Sequence, residues 1–421
     1  VLQDSIDNQH AAGAGLEPSA WTLEAEPKMS TPRISLASVA SRIEALADTA
    51  RVRFRLRRGW LDPIRVVAYR GFGTRDALNL RGRVVSRKSV NRPTRGDSAW
   101  RNLQGMYRRF TGEEIAGATV RIRFHGDPGP PVEATTDEEG YFFVTHPLPT
   151  AGSGWHEATV EIVRPQLPGR PAKPTTGDVL IPPTNASFGV ISDIDDTIVR
   201  TGATSLLTMA RIVLLSNAHT RLPFQGIASF YTALERGPTG QDRNPLFYVS
   251  SSPWNLYDVL VLFLAVNKIP AGPLFLQDWG LGRRTVIKTG HREHKLAVIG
   301  TLLTAYPDLP FILIGDSGEL DAEIYSEAAR QHPGRIRAIY IRDTQLEHRA
   351  TAVRAIAEEL RAGPTPLLLV SDTVAAAEHA AAHGLIHPDT LASIREDKAR
   401  DQPPTPRAAW QRVQEVVQER L

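Results

Sequence analysis

Between residues 186 and 370 the chain repeats one theme: a short, mostly apolar run, a helix-length stretch, then another run. The runs are Phe188 to Ser192, Leu246 to Val249, Leu274 to Leu276, Phe311 to Ile314, Ile336 to Ile341 and Leu367 to Val370. Each has strand length, and near-continuous apolarity predicts strands covered on both faces. Helical stretches lie between them, as at Thr204 to Leu215, Leu256 to Val266, Lys295 to Ala305 and Glu319 to Ala329, and an Ala-rich helix follows at Thr373 to His383. Strand alternating with helix implies an α/β domain with a doubly wound parallel sheet. In such sheets ligands bind beyond the carboxyl ends of the strands.

The rhythm upstream is different. Arg51 to Leu56 alternates strictly between Arg and apolar residues, and Arg65 to Tyr69, Arg81 to Val85 and Ala118 to Phe124 are similar. A turn at Gly140 leads into the aromatic strand ending at Val144, and Trp155 to Val163 completes the set. Short alternating strands with turns between them predict a small antiparallel β-sandwich. Residues 164–185 carry Pro165, Pro168, Pro171, Pro174, Pro182 and Pro183, which reads as a stiff connector. The expected organisation is therefore a disordered 1–33, a helix (Ser35 to Ala50) plus β-sandwich domain over 34–163, the connector 164–185, the α/β domain over 186–395 and a helical tail over 396–421.

Composition removes several kinds of chemistry. There is no Cys, hence no disulfide, thiolate metal site or catalytic thiol. The longest purely apolar run, Val259 to Val266, falls far short of the roughly 20 residues that cross a bilayer, so no transmembrane segment is expected. No Lys or Arg precedes Lys28 and no signal-peptide core is evident, which makes the expected location cytoplasmic, with peripheral membrane contact allowed. His10, His146, His156, His219 and His332 are scattered without metal-ligand spacing.

The chemistry gathers at the strand ends. The first strand runs directly into Ser192-Asp193-Ile194-Asp195-Asp196-Thr197. Residues two apart on an extended segment point the same way, so Asp193 and Asp195 should both project into the crevice. A divalent cation would offset the repulsion between them. One carboxylate can attack phosphorus, and the other can protonate the leaving alkoxide and then deprotonate water. Alone, such a turn is equally a helix cap or a solvated loop. Its company argues otherwise: Ser250 and Ser251 end the next strand, Lys295 opens a later helix, and Asp316 and Asp321 follow a third strand after Gly315, which lets the backbone turn.

These segments resemble the haloacid dehalogenase superfamily. More narrowly, Asp193-Ile-Asp-Asp-Thr-Ile198, Tyr248-Val-Ser-Ser-Ser-Pro-Trp-Asn255, His294-Lys295 and Gly315-Asp-Ser-Gly-Glu-Leu-Asp-Ala-Glu-Ile-Tyr325 resemble the catalytic domain of the actin-patch-type phosphatidate phosphatases, relatives of the lipins. The likeness covers roughly residues 186–345, and the β region before it is similar to the sandwich that often precedes this domain. The resemblance implies a Mg²⁺-dependent hydrolysis of phosphatidate to diacylglycerol and phosphate, with Asp193 as nucleophile and Asp195 as general acid and base. Thr197 would settle the loop beside the phosphoryl group. Ser250, with Ser251 beside it, and Lys295 would bind that group, and Lys288 is the alternative lysine. Asp193, Asp195 and Asp316 would ligate Mg²⁺, supported by Asp321. An Asp at position 195 favours a phosphatase over pump chemistry.

Neither gap flanking Ser250 has room for a large lid, so the site is expected to be open, which suits an anionic lipid headgroup at a membrane surface. Ser205 to Leu215 could dip into that interface or pack as a core helix. Arg283, Arg284, Lys288, His291, Arg292, His294 and Lys295 could attract anionic lipid or form a solvated loop. Between Arg51 and Arg109, sixteen Arg and one Lys face three Asp, an excess of +14. A polyanionic partner or plain solvated strand faces would both explain this, and single-stranded nucleic acid is the weaker option because the aromatics form no stacking platform. The same chemistry would also fit a phosphoprotein, a nucleic-acid end or a soluble ester. A binding module retaining metal without catalysis is the remaining reading. Oligomeric state leaves no mark on the sequence.

Overall fold

The computed structural model describes residues 63–86, 113–148, 152–167, 171–194, 226–277 and 290–400. The expected disordered segment 1–33, the helix at 35–50, the strand at 51–56, the helix at 204–215 and the tail beyond 403 lie outside these.

The first part is a nine-stranded sheet built from β1 (Ile64–Ala68), β2 (Gly71–Gly73), β3 (Ala77–Ser86), β4 (Glu113–Glu114), β5 (Thr119–Phe124), β6 (Val132–Thr135), β7 (Tyr141–Pro147), β8 (Gly154–Arg164) and β9 (Thr175–Ile181). Its order is β1-β3-β2-β9-β8-β5-β6, with β4 and β7 also paired to β3. Alternation places Val120, Ile122 and Phe124 of β5 and Ala158, Val160 and Ile162 of β8 in one core with Leu78, Leu80 and Val84 of β3.

Two features depart from expectation. The sheet is mixed rather than purely antiparallel, because β2 runs parallel to β9. The three-residue β2 fits there through its glycines: a Cβ on Gly71 would run into the Asn79 carbonyl and the Val179 side chain. The Pro-rich stretch also contains a strand. Between Pro174 and Pro182 the chain has seven residues without proline, and these form β9, paired to β8 along its length. Proline cannot donate to a ladder, so the prolines bracket this strand without entering it.

The second part is a six-stranded, wholly parallel sheet: β10 (Gly189–Asp193), β11 (Leu246–Pro253), β12 (Leu274–Gln277), β13 (Phe311–Asp316), β14 (Ile336–Arg342) and β15 (Leu367–Val370). The interleaved helices are α1 (Ile227–Arg236), α2 (Tyr257–Val266), α3 (His291–Ala305), α4 (Asp321–Gln331), α5 (Glu347–Leu360), α6 (Thr373–Ala382) and α7 (Thr390–Arg400). Every apolar run identified above is one of these strands. Helix α7 continues past the expected boundary at 395, tied back by Lys398 Nζ to Asp372 (2.7 Å) and by Ser229 Oγ, which donates to Asp397 (2.8 Å).

The strand order is β12-β11-β10-β13-β14-β15. The chain thus winds outward in one direction from β10 and in the other from β13, and the crevice between these two is the topological switch point. Both are buried along their whole length.

The two sheets share packing. Tyr69 and Tyr141 belong to the α/β core cluster. Tyr306 Oη donates to the Gly73 carbonyl at 3.0 Å, and the Arg70 N–H donates to Tyr257 Oη at 2.6 Å. Part of the Arg excess is used in this region. Arg83 is buried and paired with Glu114, and Arg81 lies over two aromatic rings.

Candidate active site

The switch point places Asp193 at the last position of β10. Its backbone register matches Val249 of β11, and Ile194 N–H donates to the Val249 carbonyl at 2.8 Å, locking the two strand ends together. The Asp193 side chain is nearly enclosed, and its Oδ1 meets Lys295 Nζ at 2.8 Å. Lys295 is the fifth residue of α3 and is itself buried. Its ammonium reaches two further carboxylates, Asp321 Oδ1 at 2.6 Å and Glu319 Oε2 at 3.1 Å. Oxygens of Asp193, Glu319 and Asp321 all lie within 4.8 Å of one another.

The loop after β13 shapes the acidic side of this cluster. Asp316 Oδ1 accepts from the N–H groups of Gly318 (2.7 Å) and Glu319 (3.3 Å), curling the loop. Asp321, at the start of α4, turns its second oxygen back to accept the Asp316 N–H at 3.0 Å. Gly315 serves this contact through space, not turning: a Cβ there would collide with the Asp321 carboxylate. Arg349 of α5 buttresses the loop from outside. It donates to the carbonyls of Ser317 (2.9 Å) and Glu319 and grips the Glu323 carboxylate with both terminal nitrogens (2.7 and 2.9 Å).

Charge sets the chemistry. Burial pushes the Asp193 carboxyl well above its usual range, with Asp321 and Glu319 adding to the rise and Lys295 opposing it. Burial likewise lifts Asp321 to about 6 against the pull of Lys295. For Lys295, burial works against the ammonium, but Asp193 and Asp321 outweigh it and hold the charge firmly in place. His294, next in chain, is pushed by burial down to about 4 and so is neutral. Fully ionised, the three carboxylates would exceed the one ammonium by two negative charges in a buried setting. A divalent cation fits that deficit, and all-oxygen donors suit a hard ion such as Mg²⁺.

Among the expected site residues, the structure brings Asp193, Lys295 and Asp321 into direct contact and joins Asp316 to them through its backbone. Ser250 and Ser251 are buried one strand away on β11. That strand continues to Pro253 instead of ending at Val249, with an irregular register between Ser250 and Pro253. Ser250 Oγ accepts the Ser252 N–H at 3.0 Å within this bulge, and bulges of this kind re-aim side chains near sites. Asp195, Thr197 and Lys288 lie outside the described residues. Among the described residues the acidic cluster that could hold a metal is Asp193, Glu319 and Asp321. Glu319 is the site residue the sequence did not single out. It stood within the Gly315-to-Tyr325 motif, three residues after Asp316, with no periodicity to mark it.

The basic cluster proposed for lipid attraction is largely committed elsewhere where it is described. Lys295 is held by carboxylates, His294 is buried and neutral, and Arg292 pairs with Glu327. Arg283 and Arg284 lie outside the described residues. No helix among the described residues is long and apolar enough to cross a membrane.

The second sheet is thus that of a doubly wound α/β domain with an acid–lysine cluster at its switch point. Residues 188–343 match the family model "Phosphatidate phosphatase APP1, catalytic domain", and this part of the chain is similar to that family. Phosphatidate phosphatase APP1 of Saccharomyces cerevisiae is 37% identical over 156 residues, covering 37% of this chain and 26% of the yeast protein. An uncharacterized Schizosaccharomyces pombe protein is 27% identical over 212 residues, covering 49% of this chain and 34% of its own length. The chain thus matches about a quarter to a third of the length of these relatives. Among solved structures, a CARDB domain from Pyrococcus furiosus is similar at 10% identity and a TM-score of 0.15, over 28% of this chain and 85% of that one, too low to carry an argument.

Proposed function

We propose that this chain hydrolyses phosphatidate to diacylglycerol and inorganic phosphate through an aspartyl-phosphate formed on Asp193. The observation that carries the reading is the Asp193–Lys295 contact at the switch point, within the domain that matches the phosphatase family. Lys295 holds Oδ1 of Asp193 and leaves Oδ2 for in-line attack on phosphorus, while its charge offsets the carboxylate against its acidic neighbours. Asp195, two residues on, is assigned the proton transfers: to the leaving glycerol oxygen first, then from the water that clears the intermediate. Ser250 and Ser251 are assigned to the phosphoryl oxygens, with Thr197 settling the loop.

Asp193 and Glu319 would hold Mg²⁺, with Asp195, Asp316 and Asp321 assisting. Once bound, the ion would neutralise charge on the phosphoryl group and on the carboxylates around it. The Lys295 contact supports this lysine, in preference to Lys288, as the catalytic cation. A cytoplasmic protein meeting anionic lipid at a membrane surface remains the working picture of where this occurs.

The test is phosphate release from phosphatidate in mixed micelles, with Mg²⁺ and with EDTA, beside soluble phosphate esters. Mg²⁺-dependent release that falls as detergent dilutes the lipid surface, and that is lost in Asp193→Asn, is expected. A preference for soluble esters without surface dilution would sink the lipid reading and favour a soluble ester or phosphoprotein.

A further inference from the structure

Strand β11, which carries Ser250 and Ser251 in its irregular last part, ends at Pro253, and the next residue, Trp254, opens a short 3₁₀ turn, Trp254–Leu256. Trp254 is buried, but much of what encloses it comes from the N-terminal sheet. Tyr69, just past β1, stacks on its ring with centroids 4.7 Å apart and planes 22° from parallel. The Arg81 guanidinium of β3 lies 4.6 Å from the Trp254 ring centroid and 4.7 Å from that of Tyr141. Tyr69 also packs on Tyr257 at 4.4 Å, and Tyr257 Oη receives the Arg70 N–H. One tryptophan is thus held by a ring and a cation from a sheet more than 160 residues away in the chain.

Cation–π and stacked contacts of this kind are directional, so they fix the ring's position and not only its burial. Three residues separate Trp254 from Ser250, and the intervening strand is irregular in register, with less sheet pairing to define it. We propose that Tyr69 and Arg81 are positioning residues for the Ser250–Trp254 loop, so that the N-terminal sheet completes the phosphoryl-holding side of the active site. The inference rests on the reading of Ser250 and Ser251 as phosphoryl-binding. It gives the β domain a role inside the catalytic unit and explains why Arg81 turns inward.

The test uses the full chain and two readouts, amide hydrogen exchange and inhibition of phosphate release by inorganic phosphate. Arg81→Met and, independently, Tyr69→Leu should speed exchange of amides 249–257 by about tenfold or more while strand 311–316 stays protected. Both should weaken phosphate inhibition and lower kcat/KM by about tenfold, as expected for a misplaced binding loop. Arg81→Lys and Tyr69→Phe, which keep the cation and the ring, should recover most of each effect. Unchanged exchange at 249–257 in both disruptive variants would overturn the proposal, as would equal loosening at 311–316, which marks a general loss of stability. Faster exchange with undiminished phosphate inhibition would refute the phosphoryl-binding role of the loop, and with it the positioning role.

Discussion

Replacing Asp193 with Asn keeps the size and one hydrogen-bonding oxygen of the side chain while removing a single charge from the centre of the site. In the absence of divalent metal the structure predicts that losing this carboxylate raises stability. Glu319 and Asp321 place oxygens within 4.8 Å of Asp193, so at an effective dielectric near 20 each repels it by at least about 3.5 kcal/mol, about 7 together. Lys295 at 2.8 Å attracts it by about 6 kcal/mol on the same scale. The balance is about 1 kcal/mol against the ionised carboxylate, and its burial adds several more. Exchanging a charge-assisted hydrogen bond to Lys295 for a neutral one returns about 1 kcal/mol. The wild-type carboxyl can also relieve itself by taking up a proton, since burial holds it well above its usual range. An expected gain of about 2 kcal/mol remains, or a Tm rise of roughly 4–8 °C for a domain of this size. Thermal unfolding of both proteins in EDTA and in millimolar Mg²⁺ measures it, with phosphate release as the companion assay. In Mg²⁺ the wild type should recover most of the difference, because only it gains the full charge compensation. A variant that melts below the wild type in EDTA would refute the charge-excess reasoning, whatever its activity.

Lys295→Met leaves Asp193, Glu319 and Asp321 without their ammonium and should cost about 3–5 kcal/mol in urea unfolding with EDTA; an unchanged midpoint would mean that the contacts are not formed. Gly315→Ala should drive Asp321 from its place and cost about 1–3 kcal/mol, whereas Gly300→Ala in α3, where a Cβ meets nothing within 4 Å, should gain roughly 0.5–1 kcal/mol. Equal melting temperatures for the two would contradict the packing at Gly315. Asp372 caps α6 by accepting the Val374 and Ala375 N–H groups at 2.9 and 3.0 Å, and Asp372→Ala should cost about 1 kcal/mol at neutral pH. Burial raises this carboxyl, but Lys398 and the two N–H groups outweigh it and hold it below the usual range. Its stabilisation is therefore complete above the unfolded value of about 3.9 and disappears as pH falls through the lower folded value. The difference between wild type and variant should be flat from pH 5 to 7 and shrink below pH 4 in urea titrations.

The parallel sheet was readable from sequence because its strands are buried on both faces. Phe311 to Ile314 or Leu367 to Val370 could hardly satisfy another environment, and the acids at their ends follow from the topology. Asp193, Lys295 and Asp321 were legible for the same reason, each standing at a strand or helix terminus. Glu319 was not, because its place depends on a loop curled by Asp316 and gripped by Arg349, a residue of a later helix. Strand β9 was hidden by the prolines on either side of it, which dominate local composition without occupying the ladder. The stacking of Tyr69 on Trp254 had no local signal at all, since both are ordinary buried aromatics until the two sheets meet.

The same charge balance bears on why this cluster can persist in a protein interior. Buried ion pairs seldom stabilise a fold, and an excess of carboxylates destabilises it. Asp193, Glu319 and Asp321 would be poor choices for a structural core, where an apolar trio of equal volume would serve better. Their arrangement around one ammonium makes sense if the deficit of two charges is filled while the protein works. One divalent ion is that amount of charge. Lys295 then plays a different part from the ion. It contacts Asp193 Oδ1, Glu319 Oε2 and Asp321 Oδ1, so Asp193 is held in one orientation. A second lysine in place of such an ion would supply only one of the two positive charges needed. The cluster therefore sacrifices stability at the switch point, in the form that the proposed cation-assisted phosphoryl transfer would use.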